Sequence, residues 1–386
     1  MSLKNKLKSK HIMVLAGEPS GDLHGARLLK EIRDRESQIR VTGIGGDRMI
    51  AAGMEIFFHI DRLSVMGATE VLRQAGTIKK AFDRFKQKIR TDRPNLLVFI
   101  DYPGFNLKAA AFARRHNIPV LYYIAPKVWA WNPSRLKQLK KNVDHVALIF
   151  HFEEKLFKKK QIPCTFVGHP LLDGYDDKII RKNRKKSHER YTIGLLPGSR
   201  EAEISALLET MLKAAELIAA RTDNIRVLIS QALCVQEKNF RNIVGQYNET
   251  RLFTIVKGDV QTLFQEVDCL IAASGTVTLE AAICRIPMVI VYKVSAYTYV
   301  LAKKFVKLKH VGLANIIAGH EVVPEFLQNR ATPENIAAET LAMMNGSALD
   351  AAEKKLSMIK PLLGGRGASK RTAHIVLSML KGDFTR

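Results

Sequence analysis

Short apolar runs of strand length, each followed by a stretch with helical periodicity, recur along this chain and restrict its fold more than any other feature. HIMVLA (11–16), LLVFI (96–100), PVLYYIA (from 119), VDHVALIF (143–150) and CTFVG (from 164) are rich in β-branched and aromatic residues and short for buried helices. Helices are expected over 23–33, 107–115 and 153–160. The alternation argues for βαβ units, and strands apolar throughout belong to a parallel sheet covered on both faces. At 176–190 the chain reads DDKIIRKNRKKSHER, a basic stretch without apolar periodicity that is expected to be a linker. Alternation then restarts with YTIGLL (191–196), a long helix near 202–221, IRVLIS (225–230), RLFTIV (251–256), DCLIAA (268–273) and MVIVY (288–292). The expected architecture is therefore α/β: two Rossmann-like, doubly wound parallel-sheet domains, 1–175 and 191–355, facing an interdomain cleft. A C-terminal helical segment, 356–386, is a candidate to pack back on the first domain. With 47% hydrophobic residues, the chain has apolar material for two cores.

Four strand-to-helix loops carry more chemistry than connectors need. Gly17-Glu18-Pro19-Ser20-Gly21-Asp22 has glycine at both ends, which suits close backbone approach to a ligand, but also suits a tight turn with Asp22 as helix cap. It lacks the GxGxxG dinucleotide fingerprint. Asp101-Tyr102-Pro103-Gly104-Phe105-Asn106 places a carboxylate at the carboxyl end of a buried strand, where partial desolvation raises its basicity; capping of the next helix is the alternative. In Leu196-Pro197-Gly198-Ser199-Arg200-Glu201, an arginine sits in the expected first helical turn, against the helix dipole, which suggests an anion such as phosphate to satisfy both. Ser274-Gly275-Thr276-Val277-Thr278-Leu279-Glu280 makes a second anion-ready helix start, with Glu280 one turn after Thr276 and suited to ribose hydroxyls.

The chain holds 61 Lys+Arg against 37 Asp+Glu, a formal charge of +24. Such a surface implies anionic company: nucleic acid, an acidic membrane or a phosphorylated substrate. Dispersed lysines, 7% aromatics and the lack of RNP, KH or zinc patterns argue against nucleic acid. Cys164, Cys234, Cys269 and Cys284 have no CxxC spacing; Cys269 and Cys284 read as small buried hydrophobes in a reducing compartment. No apolar run approaches the roughly 20 residues of a spanning helix, and the short apolar stretch 12–16 is no secretory signal. No metal site is expected: His11, His24, His169 and His310 share no ligand spacing, and Asp176-Asp177 sits in the basic linker.

VLAGEPSGDLHGARL, SVMGATEVL, FIDYPGFN, APKVWAWNPSR, FVGHPLLD, LLPGSRE, ASGTVTLE and ANIIAGHE occur in the order and spacing of the lipid-A-disaccharide synthase family, which the chain resembles over about 11–330. The resemblance implies a GT-B glycosyltransferase, inverting and without cofactor or metal. It would join UDP-2,3-diacylglucosamine to 2,3-diacylglucosamine 1-phosphate through a β-1,6 linkage. It implies Asp101 as base, Ser20 in the catalytic cleft and Arg200 at the UDP phosphates. Gly17, Glu18, Gly198, Ser199, Ser274, Gly275, Thr276, Glu280 and Asn315 are the remaining substrate or UDP-binding candidates. The pattern departs at Gly104, Lys127 and Ala314. Acylated, phosphorylated substrates place the enzyme in the cytoplasm, peripheral to the anionic inner face of the inner membrane. Candidate contacts are Lys158-Lys159-Lys160, the 181–190 cluster, Lys303, Lys304, Lys307 and Lys309, with Val65, Met66 and Val71 at the membrane or an acyl chain. Of Trp129 and Trp131, one is expected in the core. A homodimer is compatible with this reading. The rivals are other UDP-sugar GT-B enzymes, an undecaprenyl-linked N-acetylglucosamine transferase or a UDP-GlcNAc 2-epimerase; GEPSGD and PKVWAW favour the synthase.

Overall fold

The computed structural model describes residues 10–63, 71–129, 134–175, 190–222, 224–232, 235–247, 252–258, 260–294 and 309–383. The chain forms two compact units, Met1–Asp173 with Leu363–Arg386, and Gly174–Leu362. The basic stretch 176–189, Val65 and Met66, Trp131, Cys234 and the 303–307 lysines lie outside the described residues.

The first unit is built on β1 (His11–Ala16), β2 (Arg40–Gly45), β3 (Glu55–His59), β4 (Leu96–Ile100), β5 (Val120–Tyr123), β6 (His145–Leu148) and β7 (Cys164–Phe166). They form one parallel sheet in the order β3-β2-β1-β4-β5-β6-β7. The second unit uses β8 (Tyr191–Leu196), β9 (Ile225–Gln231), β10 (Phe253–Lys257), β11 (Cys269–Ala273), β12 (Met288–Tyr292) and β13 (Glu325–Leu327), in the parallel order β10-β9-β8-β11-β12-β13. Central strands such as β4 and β11 are buried along their whole length, as their unbroken apolar sequences require. Strand order reverses between β1 and β4 in the first sheet and between β8 and β11 in the second. Loops leaving neighbouring strands at such a reversal diverge and open a crevice at the carboxyl ends. All four loops singled out in the sequence leave these four strands.

Two carboxylates, buried Asp22 and half-buried Asp173, do structural work that the sequence does not announce. Asp22 does not cap its own helix, which already begins at Pro19. It turns inward, 4% exposed, and accepts the backbone N–H groups of Gly46, Arg48 and Met49 at 2.7, 3.1 and 3.1 Å. These are the open donors at the start of helix Asp47–Ala51, which has no side-chain cap of its own. Asp173 likewise accepts from Gly367, Ala368 and Ser369 at 2.6, 3.2 and 2.9 Å and caps helix Ala368–Lys381. That helix packs on helix Pro19–Arg33 and on β4. The 356–386 segment is thus divided: Ile359–Leu362 belongs to the second unit, and the chain from Leu363 onward belongs to the first. Cys269 is buried as expected, whereas Cys284 is only half-buried. None of the described helices is long and apolar enough to cross a membrane.

Replacing Asp22 with alanine removes the acceptor and leaves three backbone donors in a poorly hydrated place. We expect a loss of roughly 2–4 kcal/mol in unfolding free energy, measured by urea denaturation. A loss below about 0.5 kcal/mol would mean that water replaces the carboxylate there.

Candidate functional site

At the β1/β4 reversal the backbone leaves β4 through two successive left-handed residues, Asp101 (φ 45°) and Tyr102 (φ 47°), before Pro103 starts the next helix. Such conformations cost roughly 1–3 kcal/mol each outside glycine and persist only where the surroundings impose them. Here the Asp101 N–H donates to the Tyr123 carbonyl at 3.0 Å, continuing the β5 ladder. The Asp101 carbonyl accepts from the Tyr122 hydroxyl at 2.7 Å and from Asn106 Nδ2 at 2.8 Å. Tyr122 and Asn106 are themselves buried. Tyr102 stacks its ring on Phe105, with centroids 6.2 Å apart.

Tyr102 also gives Gly17 a packing role. A Cβ at Gly17 would lie 2.2 Å from Tyr102 Cδ1, so the missing side chain leaves room for this ring. Glu18 and Ser20 are exposed at the start of helix Pro19–Arg33. The Asp101 carboxyl is pushed up to about 6, chiefly because burial disfavours its charge and next because Glu18 is negative nearby. Lys127, the Tyr102 N–H and Arg135 oppose that rise. Asp101 therefore carries its charge above about pH 6 and is a stronger proton acceptor than an ordinary aspartate.

Glu153 is a buried carboxyl the sequence did not reveal. It is 1% exposed, accepts the Trp129 indole N–H at 2.8 Å, and is pushed up to about 8 by burial, against the Trp129 bond and the charge of Lys127. Its Oε2 is buried without a hydrogen-bond partner. Lys127 thus acts electrostatically on both Asp101 and Glu153. The pattern HFEEKLF, with an acid flanked by aromatics in a first helical turn, was the available signal.

At the β8/β11 reversal, paired through Leu196 and Ala272, the anion-ready loop is present but already holds an anion. Arg200 is the N-cap of helix Glu201–Ala219, not a first-turn residue. Glu203 Oε2 accepts from the N–H groups of Ser199 and Arg200 at 3.1 and 3.3 Å, and Glu203 Oε1 pairs with the Arg200 guanidinium at 3.4 Å. A Cβ at Gly198 (φ 111°) would lie 2.4 Å from Glu203 Oε2, so this glycine accommodates the carboxylate as well as the turn. The Arg200 side chain stays 63% exposed, and such a surface pair is weak enough to rearrange.

From β11, Ser274 Oγ donates to the Val311 carbonyl at 3.1 Å, and Gly275 and Thr276 are exposed at the start of helix Thr276–Ile283. Glu280 follows one turn later, half-buried, and accepts the hydroxyl of Tyr175. Asn315 is a binding candidate whose side-chain amide is engaged within the protein. It is fully buried; Nδ2 donates to the Val323 carbonyl and Glu325 Oε1, and Oδ1 accepts from Val322 and Val323. With both donors and both acceptor positions in use, it shapes the 315–325 turn. Of the acyl or membrane candidates, Val71 is the first residue of helix Val71–Asp92, and Val65 and Met66 lie outside the described residues. Among the described residues no group of three or more His, Cys, Asp or Glu side chains could hold a metal ion.

A family model described as lipid-A-disaccharide synthetase matches residues 12–377. The chain belongs to the lipid-A-disaccharide synthase family. A family member from Geobacter sulfurreducens is 40% identical over 379 residues, covering 96% of this chain and 98% of that protein. Another, from Coxiella burnetii (strain Dugway 5J108-111), is 37% identical over 379 residues, covering 97% and 100%. Both are named lipid-A-disaccharide synthase. Among solved structures, a putative UDP-N-acetylglucosamine 2-epimerase from Listeria monocytogenes superposes with a TM-score of 0.68 at 10% identity, covering 98% of this chain and 97% of that one. At that identity the likeness concerns the fold, the two-sheet GT-B architecture that this family of glycosyltransferases shares with 2-epimerases.

If Gly17 exists for the Tyr102 ring, Gly17→Ala should destabilise the protein by about 1–3 kcal/mol through overpacking. Tyr102→Gly in the same chain should recover at least about 1 kcal/mol of that loss. A denaturation double-mutant cycle checks it; additive effects would mean the two residues do not meet.

Proposed function

We propose that the protein transfers 2,3-diacylglucosamine from UDP-2,3-diacylglucosamine to the 6-hydroxyl of 2,3-diacylglucosamine 1-phosphate, giving the β-1,6 disaccharide 1-phosphate and UDP. The observation that carries this reading is Asp101: a carboxylate of raised basicity, held by a strained turn at a sheet reversal, within a motif of the family. The acceptor oxygen attacks C1 of the donor sugar opposite UDP, Asp101 takes its proton, and the C1–O bond to UDP breaks. The configuration at C1 inverts, and negative charge collects on the departing diphosphate. Arg200 and the N–H groups of Ser199 and Arg200 meet that charge once Glu203 yields its place, so the reaction is metal-independent in this reading. Thr276 and Gly275 supply a second helix start for the diphosphate, and Glu280 takes the ribose hydroxyls. Ser20 and Glu18 lie with Asp101 on the acceptor side.

Incubation with both diacyl substrates should yield UDP and a disaccharide whose new linkage is β by its proton coupling constants. An α linkage, or a 2-epimerised UDP-sugar without disaccharide, contradicts the reading. Asp101→Asn should lower turnover at least about 100-fold, the scale of a lost general base, while UDP affinity measured by calorimetry stays within about twofold.

The +24 charge supports a peripheral position on an anionic bilayer, at the inner face of the inner membrane where acylated substrates reside. Lys159, Lys160 and Lys309 are exposed and available for such contact. Attraction between exposed charges and a membrane fades within a Debye length, about 8 Å at physiological salt and about 3 Å at 1 M. The protein should therefore sediment with anionic vesicles, be released by high salt, and ignore neutral vesicles. Equal, salt-insensitive sedimentation with both would leave the basic surface without this role.

A further inference from the structure

Tyr175 stands at the entry of the second unit and is only 5% exposed. A buried phenol hydroxyl needs hydrogen-bond partners, and this one has two. It donates to Glu280 Oε2 and shares a hydrogen bond with the side chain of Gln261. The three residues come from distant parts of the chain: the segment before β8, helix Val260–Glu266 and helix Thr276–Ile283. None of them lies in a strand, so the sheet does not require these bonds. A phenylalanine would fill the same volume, which leaves the hydroxyl to be explained. Its effect is to fix one oxygen of Glu280, and with it the rotamer and plane of that carboxyl. A carboxyl held in this way is already oriented when a diol arrives, and the entropic cost of ordering it is met in the unliganded protein.

We infer that Tyr175 is a positioning residue for nucleotide recognition: through its hydroxyl, backed by Gln261, it presents Glu280 to the ribose hydroxyls of a ribonucleoside-diphosphate sugar. The inference rests on the reading of Glu280 as the ribose partner. It makes Tyr175 part of the selection of ribose over deoxyribose without touching the nucleotide.

Calorimetric binding of UDP and of 2′,3′-dideoxy-UDP to the wild type, Glu280→Gln and Tyr175→Phe separates the possibilities. The wild type should prefer UDP, and Glu280→Gln should lose that preference. Tyr175→Phe should weaken UDP about tenfold, within the range of couplings found inside one hydrogen-bond network, and change the dideoxy analogue less than about twofold. Equal weakening of both ligands, or no weakening of either, overturns the role of Tyr175 while the ribose reading stands. Undiminished preference for UDP in Glu280→Gln overturns the ribose reading itself, and the inference with it. Should Tyr175→Phe fail to fold, Gln261→Leu carries the same test at a half-buried position. It should weaken UDP about threefold, again sparing the dideoxy analogue; equal or absent effects overturn the inference.

Discussion

The turn that ends β4 is the constraint on which the candidate acceptor chemistry depends. Two adjacent left-handed residues, neither of them glycine, are held there by the Tyr122 hydroxyl, the Asn106 amide and the β5 ladder. The strain does something specific. It turns the chain abruptly from strand to helix and leaves Asp101 at the mouth of the β1/β4 reversal, covered enough by protein for desolvation to dominate its titration. Tyr102, the next residue of the same turn, takes the space above Gly17. The GEPSGD and DYPGFN loops are thereby one construction, with the glycine of the first fitted to the tyrosine of the second.

The second unit repeats the sheet logic with different chemistry. Its reversal lies between β8 and β11, and the loops there expose backbone donors and an arginine rather than a base. Glu203 resolves an awkward feature of that sequence. A cation beside a helix start is opposed by the dipole, and the nearby carboxylate compensates both. Parting the pair is modest in energy because its Arg200 side is 63% exposed, with about 0–1 kcal/mol expected for such a bridge.

Much of the fold was legible in the sequence because the central strands are buried on both faces and read as unbroken apolar runs. The strands that escaped are β2, β3 and β13. RVTGIG contains two glycines, EIFFH is an edge strand half open to solvent, and EFL is three residues long. None carries a strong pattern. The four site loops were legible from their chemistry and their place after apolar strands. Hidden from sequence was everything that depends on a partner distant in the chain: Asp22 capping the helix at 47–51, Tyr102 over Gly17, Glu153 beneath Trp129, Tyr175 on Glu280. Asn315 shows the converse. A family motif marked it out, but its buried amide is consumed by the turn it holds.

The β4 elbow covers Asp101 and raises its basicity towards neutral pH. The most direct measurement is a carboxyl ¹³C NMR titration of aspartate-labelled protein, with the Asp101→Asn variant identifying the resonance. A carboxyl absent from the variant and titrating near 6 is the predicted result. Titration of that resonance near the ordinary aspartate value of about 3.9 would contradict the claim that the turn prepares Asp101 for proton abstraction.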